Sequence, residues 1–195
     1  MRRILPFDEL NNLQTRLTEH FTVEESWDGT SGKRRIRSKK DVYDIIDMLL
    51  DLFLLAYANG VASVNERFNT DIVPTPEELK ATIYKKIDGA TWEDRVWAWS
   101  EAGGDEADIM RIAETEAHRD GNTAADTTAK KAGASTKTWR CMMLPTSRDT
   151  HIYLNGTTVG INDEFYTFAG NHTMFPGQFG VAEEDCGCLC ELEYN

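Results

Sequence analysis

Thiols and imidazoles are the chemistry-bearing groups of this 195-residue chain, and they crowd into its last third. All four cysteines (Cys141, Cys186, Cys188 and Cys190) lie between Lys137 and Asn195, with two of the four histidines, His151 and His172. Thiolate and imidazole are ligands for a four-coordinate zinc ion. His151, Cys186, Cys188 and Cys190 form the candidate set, with His172 or Cys141 as substitutes for the fourth place. The Cys-x-Cys-x-Cys spacing works against this. On an extended strand residues 186, 188 and 190 share one face at intervals of about 6.5–7 Å, a spread that makes a joint site harder. A turn at Gly187 would relax it. The competing reading is that Cys186 and Cys188 are packed core thiols, or pair with a partner once exposed to oxidant. The expectation is therefore no cofactor, with a structural zinc as the exception these residues allow.

His151 follows Arg148 by three residues. A general base needs an orienting acid and a nucleophile. Asp149 and Asp163 supply acids, but no serine or cysteine stands in a recognisable activated setting. Arg148 and His151 are better suited to hydrogen-bond buried backbone groups, or Glu114 and Glu116 of the preceding helix. The chain has no phosphate-binding glycine loop, no His-Glu-x-x-His pair and no Gly-x-Ser-x-Gly elbow. No enzymatic activity is expected. The alternative is a metal-dependent hydrolase or nuclease using His151, His172 and the cysteines.

The elements that must position these groups fall into a helical part and a β part. Leu10, Leu13 and Leu17 recur at helical spacing within 7–21. Residues 22–40 are polar and read as a loop or arm. Ser38 or Asp41 can cap a helix over 41–68 that is apolar almost all round, so it is buried on several sides or lies at an interface. Thr75-Pro76-Glu77-Glu78 is a helix start, predicting a helix to about Ile87. Thr91-Trp92-Glu93-Asp94 opens a short one through Ser100. A further helix runs from about Asp105 through the Ala-rich stretch, with Gly133 just past its end. Trp92, Trp97 and Trp99 read as core, with an exposed partner patch as the alternative. From Trp139 the pattern changes. Residues 139–143, 152–154, 157–159, 165–168 and 189–194 suggest strands, with Asn155-Gly156 as a hairpin turn. The fold class is α+β: a mainly helical N-terminal region followed by a small antiparallel β module. The divisions are residues 1–40 (helix and basic arm), 41–133 (helical region) and 134–195 (β module).

The formal charge of −12 argues against wrapping nucleic acid. The charge is uneven, with nine Lys/Arg against six Asp/Glu in residues 1–40. The one basic cluster, residues 33–40, reads as a solvated linker or as a contact to nucleic acid or an acidic partner. Met1-Arg2-Arg3 begins like a leader, but Asp8 and Glu9 interrupt any apolar core. Asp44, Asp47 and Asp51 would be costly at the centre of a bilayer, so 42–62 reads as a buried helix and no membrane partner is expected. A reducing compartment then favours free thiols or metal thiolates. The acidic residues Glu183, Glu184, Asp185, Glu191 and Glu193 read as a solvated edge.

One ordered series of motifs goes further. It runs Arg111-Ile112-Ala113-Glu114-Thr115-Glu116, Gly133, Lys137-Thr138-Trp139, Arg148, His151, Asn155-Gly156, Phe165, Pro176 and Cys186-Gly187-Cys188. Its order and spacing resemble the phage Mu protein F-like family of phage head morphogenesis or minor head proteins, over about residues 105–190. Members show an Ile-Ala-x-Thr-Glu helix, a Lys-x-Trp strand, an Asp-x-Arg-x-Arg-x-x-His element, a glycine hairpin, a proline and a closing Cys-Arg-Cys. Here Leu144 and Thr146 stand where the family often has the acid and the first arginine, and Gly187 replaces the arginine between the cysteines. Cys190 is an additional thiol. The resemblance implies a structural role, with Glu114, Glu116, Trp139 and Arg148 as framework. It implies a minor, capsid-associated head component of a tailed phage or prophage, assembled in the host cytoplasm and carried in the virion. Its partners would be the portal protein, the major capsid protein or both, met through helix 41–68 and the Trp cluster. Residues 33–40 would touch packaged DNA. Some relatives carry toxin domains after this module; a chain closing just after its Cys motif is expected to leave no room for one.

Overall fold

The computed structural model describes residues 4–23 and 34–195. Lys33, and most of the polar arm read from the sequence, lie outside the described residues. Helix α1 (Phe7–Leu17) buries Leu10, Leu13 and Leu17 as one stripe. After one 3₁₀ turn, strands β1 (Phe21–Val23) and β2 (Arg34–Ile36) pair antiparallel, so part of the expected arm is a ribbon. Helix α2 (Lys39–Phe68) starts where the Ser38 hydroxyl accepts from the Asp41 amide, and stops at Asn69 in the left-handed conformation. Helices α3 (Pro76–Ile83) and α4 (Trp92–Glu101) each begin with a reciprocal capping box, from Thr75 with Glu78 and Thr91 with Asp94. The first ends four residues before its expected limit. Helix α5 (Glu106–Lys131) is capped by Asp105. It closes in a Schellman turn, with Gly133 N–H donating to Lys130 O and Ala134 N–H to Ala129 O.

Helix α2 is long and apolar enough to cross a membrane, yet 61% of its apolar window is buried inside the protein. Its main partner is α5. At the crossing the helices meet backbone to backbone, because a Cβ on Gly60 would overlap the carbonyl oxygen of Gly121. Glycine at both positions is what allows this approach. Trp92 of α4 is fully buried and meets Phe53 edge to face, whereas Trp99 is 39% exposed. The Trp cluster is thus split between core and surface.

The C-terminal part is a small antiparallel sheet in the order β4-β3-β7, formed by β3 (Thr136–Arg140), β4 (Thr158–Gly160) and β7 (Glu191–Tyr194). A two-stranded ribbon, β5 (Phe165–Tyr166) with β6 (His172–Thr173), lies beside it in sequence. Two short helices, α6 (Asp149–Leu154) and α7 (Ala182–Asp185), complete the chain. The α+β expectation holds. Two details differ. Residues 152–154, expected as a strand, belong to α6, and Asn155-Gly156 joins that helix to β4 instead of turning a hairpin. The period explains it. His151 and Leu154, three apart, are buried, while Ile152 and Tyr153 between them are 38% and 60% exposed. Strand β3 also begins earlier than expected and ends at Arg140, with Met143 at positive φ beyond it.

Among the described residues the buried apolar side chains form two clusters. One lies mainly between α1, α2, α4 and α5, with Leu5, Phe21 of β1 and Ile83 of α3. The other surrounds Trp139, and takes Ile4, Val64, Ala125 and Ala129 from the N-terminal part. The sheet is therefore packed onto the helices. Fully burying a large side chain such as Trp139 or Phe165 contributes about 1.5–3 kcal/mol.

Candidate functional site

Helix α6 carries His151 into the second core. Its Nδ1 lies 3.6 Å from Cys188 Sγ and 3.5 Å from Cys190 Sγ, and all three residues are buried. On the other side of the ring Nε2 lies 3.0 Å from Glu184 Oε2, a close ionic approach off the line of an ideal hydrogen bond. The Glu184 carboxylate accepts from Thr150 Oγ1 at 2.8 Å and from Asn171 Nδ2 at 3.0 Å. Burial pushes this carboxyl up, but those hydrogen bonds, with the Arg148 charge, outweigh it and leave it below the usual range. The imidazole stacks on Phe179 and meets the edge of Trp139, with centroids 5.5 and 5.7 Å away. Its orientation is thus fixed from three sides. The arrangement suits the tautomer with the proton on Nε2 and a lone pair on Nδ1 aimed between the two thiols.

All four cysteines are free thiols. Gly187, at φ 66°, turns the chain so that Cys188 and Cys190 face His151. Cys186 is only partly buried and does not belong to the group whose ligand atoms all lie within 4.8 Å of one another. Its carbonyl instead accepts from the Arg148 guanidinium. Cys141 lines a small cavity of about 30 Å³ beside the cluster, along with Arg148, His151, Cys188 and Cys190. His172 is exposed and lies 3.0 Å from Glu164. The neighbouring Cys188 thiol, then burial, hold the Cys190 thiol well above its usual range. A thiol kept protonated is a poor nucleophile.

Glu114 and Glu116 do not meet Arg148 or His151. Glu116 is buried on α5 and pairs with Arg119 and with Arg95 of α4, while Glu114 is exposed. Trp139 is fully buried beneath the cluster.

Two features escaped the sequence reading. The first is Glu184, taken for part of a solvated acidic edge but only 4% exposed. Asp185 and Glu193 are engaged too: Asp185 accepts from the Phe179 and Gly180 amides, and Glu193 pairs with Arg67 and Arg140. The second is a buried polar spine along α5, comprising Glu116, His118, Arg119, Asp120, Asn122 and Asp126. His118 Nε2–H donates to Cys190 O at 2.7 Å, and Asn122 Nδ2 donates to His118 O at 3.0 Å. Burial pushes His118 down to about 4. Arg119 Nη2 lies 3.0 Å from Asp120 Oδ1, but burial outweighs that attraction and pushes the Asp120 carboxyl well up. Lys137 Nζ, fully buried, sits 3.7 Å from Asp126 Oδ1. The available signal was the run Glu116–Asn122 itself. Five of its seven residues are polar or charged, on the same helix that buries Ala113, Ala117 and Ala124.

Two curated proteins resemble this chain. Over 101 residues it is 36% identical to an NAD(+)–arginine ADP-ribosyltransferase of Enterococcus faecalis, covering 48% of this chain and 20% of that protein. Over 85 residues it is 31% identical to the minor head protein GP7 of Bacillus phage SPP1, covering 42% of this chain and 28% of that protein. The chain thus spans a small part of the curated relatives it matches. No protein-family profile matches it. No solved structure matches it either.

Proposed function

We propose that this chain is a structural component of a tailed-phage or prophage head, a minor head module of the phage Mu protein F-like kind that acts without catalysing a reaction. The observation that carries this reading is the similarity to the SPP1 minor head protein. The motif series read from the sequence points the same way. The cluster is consistent with it: its three members are buried, and His151 is held between Glu184 and two aromatic rings. A general base must reach the proton it takes from substrate, and His151, Cys188 and Cys190 are 2–3% exposed. The similarity to the ADP-ribosyltransferase covers a fifth of that protein, which fits a module that is joined to different companions.

The proposed partners are the portal protein, the major capsid protein or both, with a role in head assembly and in DNA packaging or delivery. The module acts in the host cytoplasm during assembly and stays in the virion. Most of helix α2 is used within the chain, so a partner would meet the exposed groups: Tyr43 and Leu54 on α2, Trp99 on α4, and Tyr153 and Phe168 beyond. Residues 33–40 would contact packaged DNA. Quantitative mass spectrometry of gradient-purified procapsids and virions tests the proposal. It predicts a few copies per particle, and consistent absence from both would overturn it.

A further inference from the structure

The geometry points to a structural zinc site in which His151 Nδ1, Cys188 and Cys190 supply three ligands and Cys141 the fourth. The inference uses only groups within this chain and stands apart from the head-protein reading.

The distances carry it. Zinc binds thiolate at about 2.3 Å and imidazole nitrogen at about 2.0–2.1 Å in tetrahedral geometry, which puts nitrogen and sulfur about 3.5–3.6 Å apart. The observed separations from His151 Nδ1 are 3.6 and 3.5 Å. Both sulfurs therefore already sit at tetrahedral edge length from the nitrogen whose lone pair faces them. The outer contacts fit as well. A zinc-bound histidine usually directs its other ring nitrogen to a carboxylate that is itself held by hydrogen bonds. Glu184 occupies that place, anchored by Thr150 and Asn171.

The fourth place opens onto the small cavity. Cys141 and Arg148 line that cavity and Cys186 does not. Cys141 follows directly on β3, where its amide donates to Asn155 Oδ1 at 3.0 Å, so its backbone is fixed at the cavity; it lies outside the group of three whose ligand atoms are within 4.8 Å of one another, and coordination requires its side chain to turn inward. The donor set of three sulfurs and one imidazole selects a soft or borderline metal over magnesium or calcium. A closed four-ligand site is structural, with no open position for substrate. On binding, each coordinating thiol loses its proton to solvent. Three thiolates with Zn²⁺ carry a net charge of −1 beside the Glu184 carboxylate, and the Arg148 guanidinium at the cavity offsets part of this.

The test uses full-length protein purified under reducing conditions, loaded with zinc or with cobalt(II) and freed of excess metal. Elemental analysis should give one zinc per chain, and cobalt should give a thiolate-to-metal charge-transfer band with tetrahedral visible bands. Cys190→Ser and Cys141→Ser should each weaken that band, whereas Cys186→Ser should leave it unchanged. Glu184→Gln should lower zinc affinity about 10–100-fold with the band intact. Circular dichroism confirms folding; if Cys190→Ser fails to fold, Cys141→Ser and Glu184→Gln carry the test. Folded wild-type protein with no bound zinc and no charge-transfer band would overturn the site. A band that survives Cys141→Ser and weakens in Cys186→Ser would overturn the ligand assignment.

Discussion

Glu114 and Glu116 are two carboxylates on one helix. Glu116 faces the core with Arg119 and Arg95, while Glu114 faces solvent. Removing one partner of a buried charged pair leaves the other stranded. Glu116→Ala should destabilise the fold by about 3–5 kcal/mol, and Glu114→Ala should stay within about 0.5 kcal/mol; urea denaturation of both variants checks this. The sequence offers both, beside buried backbone groups, as partners for Arg148 and His151; Arg148 takes a backbone group, the Cys186 carbonyl. His118 gives a pH dependence. Burial holds its folded value at about 4, below the ordinary value of about 6.5, so the unfolded chain takes up the proton first. Its contribution is complete above about pH 6.5 and is lost as pH falls toward 4, roughly 3 kcal/mol in all for about 2.5 pK units. Denaturation midpoints between pH 7 and 4 should fall in the wild type, and the slope over that window should be shallower in His118→Gln.

At the scale of elements, the helices were legible because their signals are local. Ser38, Thr75, Thr91 and Asp105 each cap the helix that follows, and Gly133 closes α5. The β part was legible in kind and less so in detail. Ile152-Tyr153-Leu154 carries strand-forming side chains. What decides its structure is that His151 and Leu154 must both enter the Trp139 core, a tertiary demand a local reading cannot see. The α2–α5 crossing was invisible for the same reason, since Gly60 and Gly121 are 61 positions apart in the chain, the difference of their numbers. Gly60→Ala sets two effects against each other. Alanine favours a helix interior over glycine by about 1 kcal/mol, but its Cβ would overlap the Gly121 carbonyl, and overpacking typically costs about 1–3 kcal/mol. Backbone cannot move aside as a side chain can, so the clash should win. Thermal unfolding should show Gly60→Ala less stable than wild type, and a rise in midpoint would contradict the close crossing.

For the whole molecule, the candidate site was half readable. His151, Cys188 and Cys190 were singled out by type and meet in space. Cys186 was grouped with them by spacing but is turned away at Gly187, and Glu184 was passed over because its neighbours are acidic. Spacing along a chain reports distance only while the conformation is regular, and Gly187 ends that regularity. The resulting picture is a helical body with a sheet packed onto it, the junction tied by His118 to Cys190 and by Lys137 beside Asp126. Such a body leaves Tyr43, Leu54, Trp99, Tyr153 and Phe168 exposed while its thiol–imidazole cluster is buried. The most direct test of its role is an asymmetric cryo-EM reconstruction of the portal vertex in purified procapsids. The account predicts density for this fold, in a few copies, against the portal or the adjoining capsid. Heads that assemble with no such density, while the protein stays entirely in the soluble lysate, would contradict it.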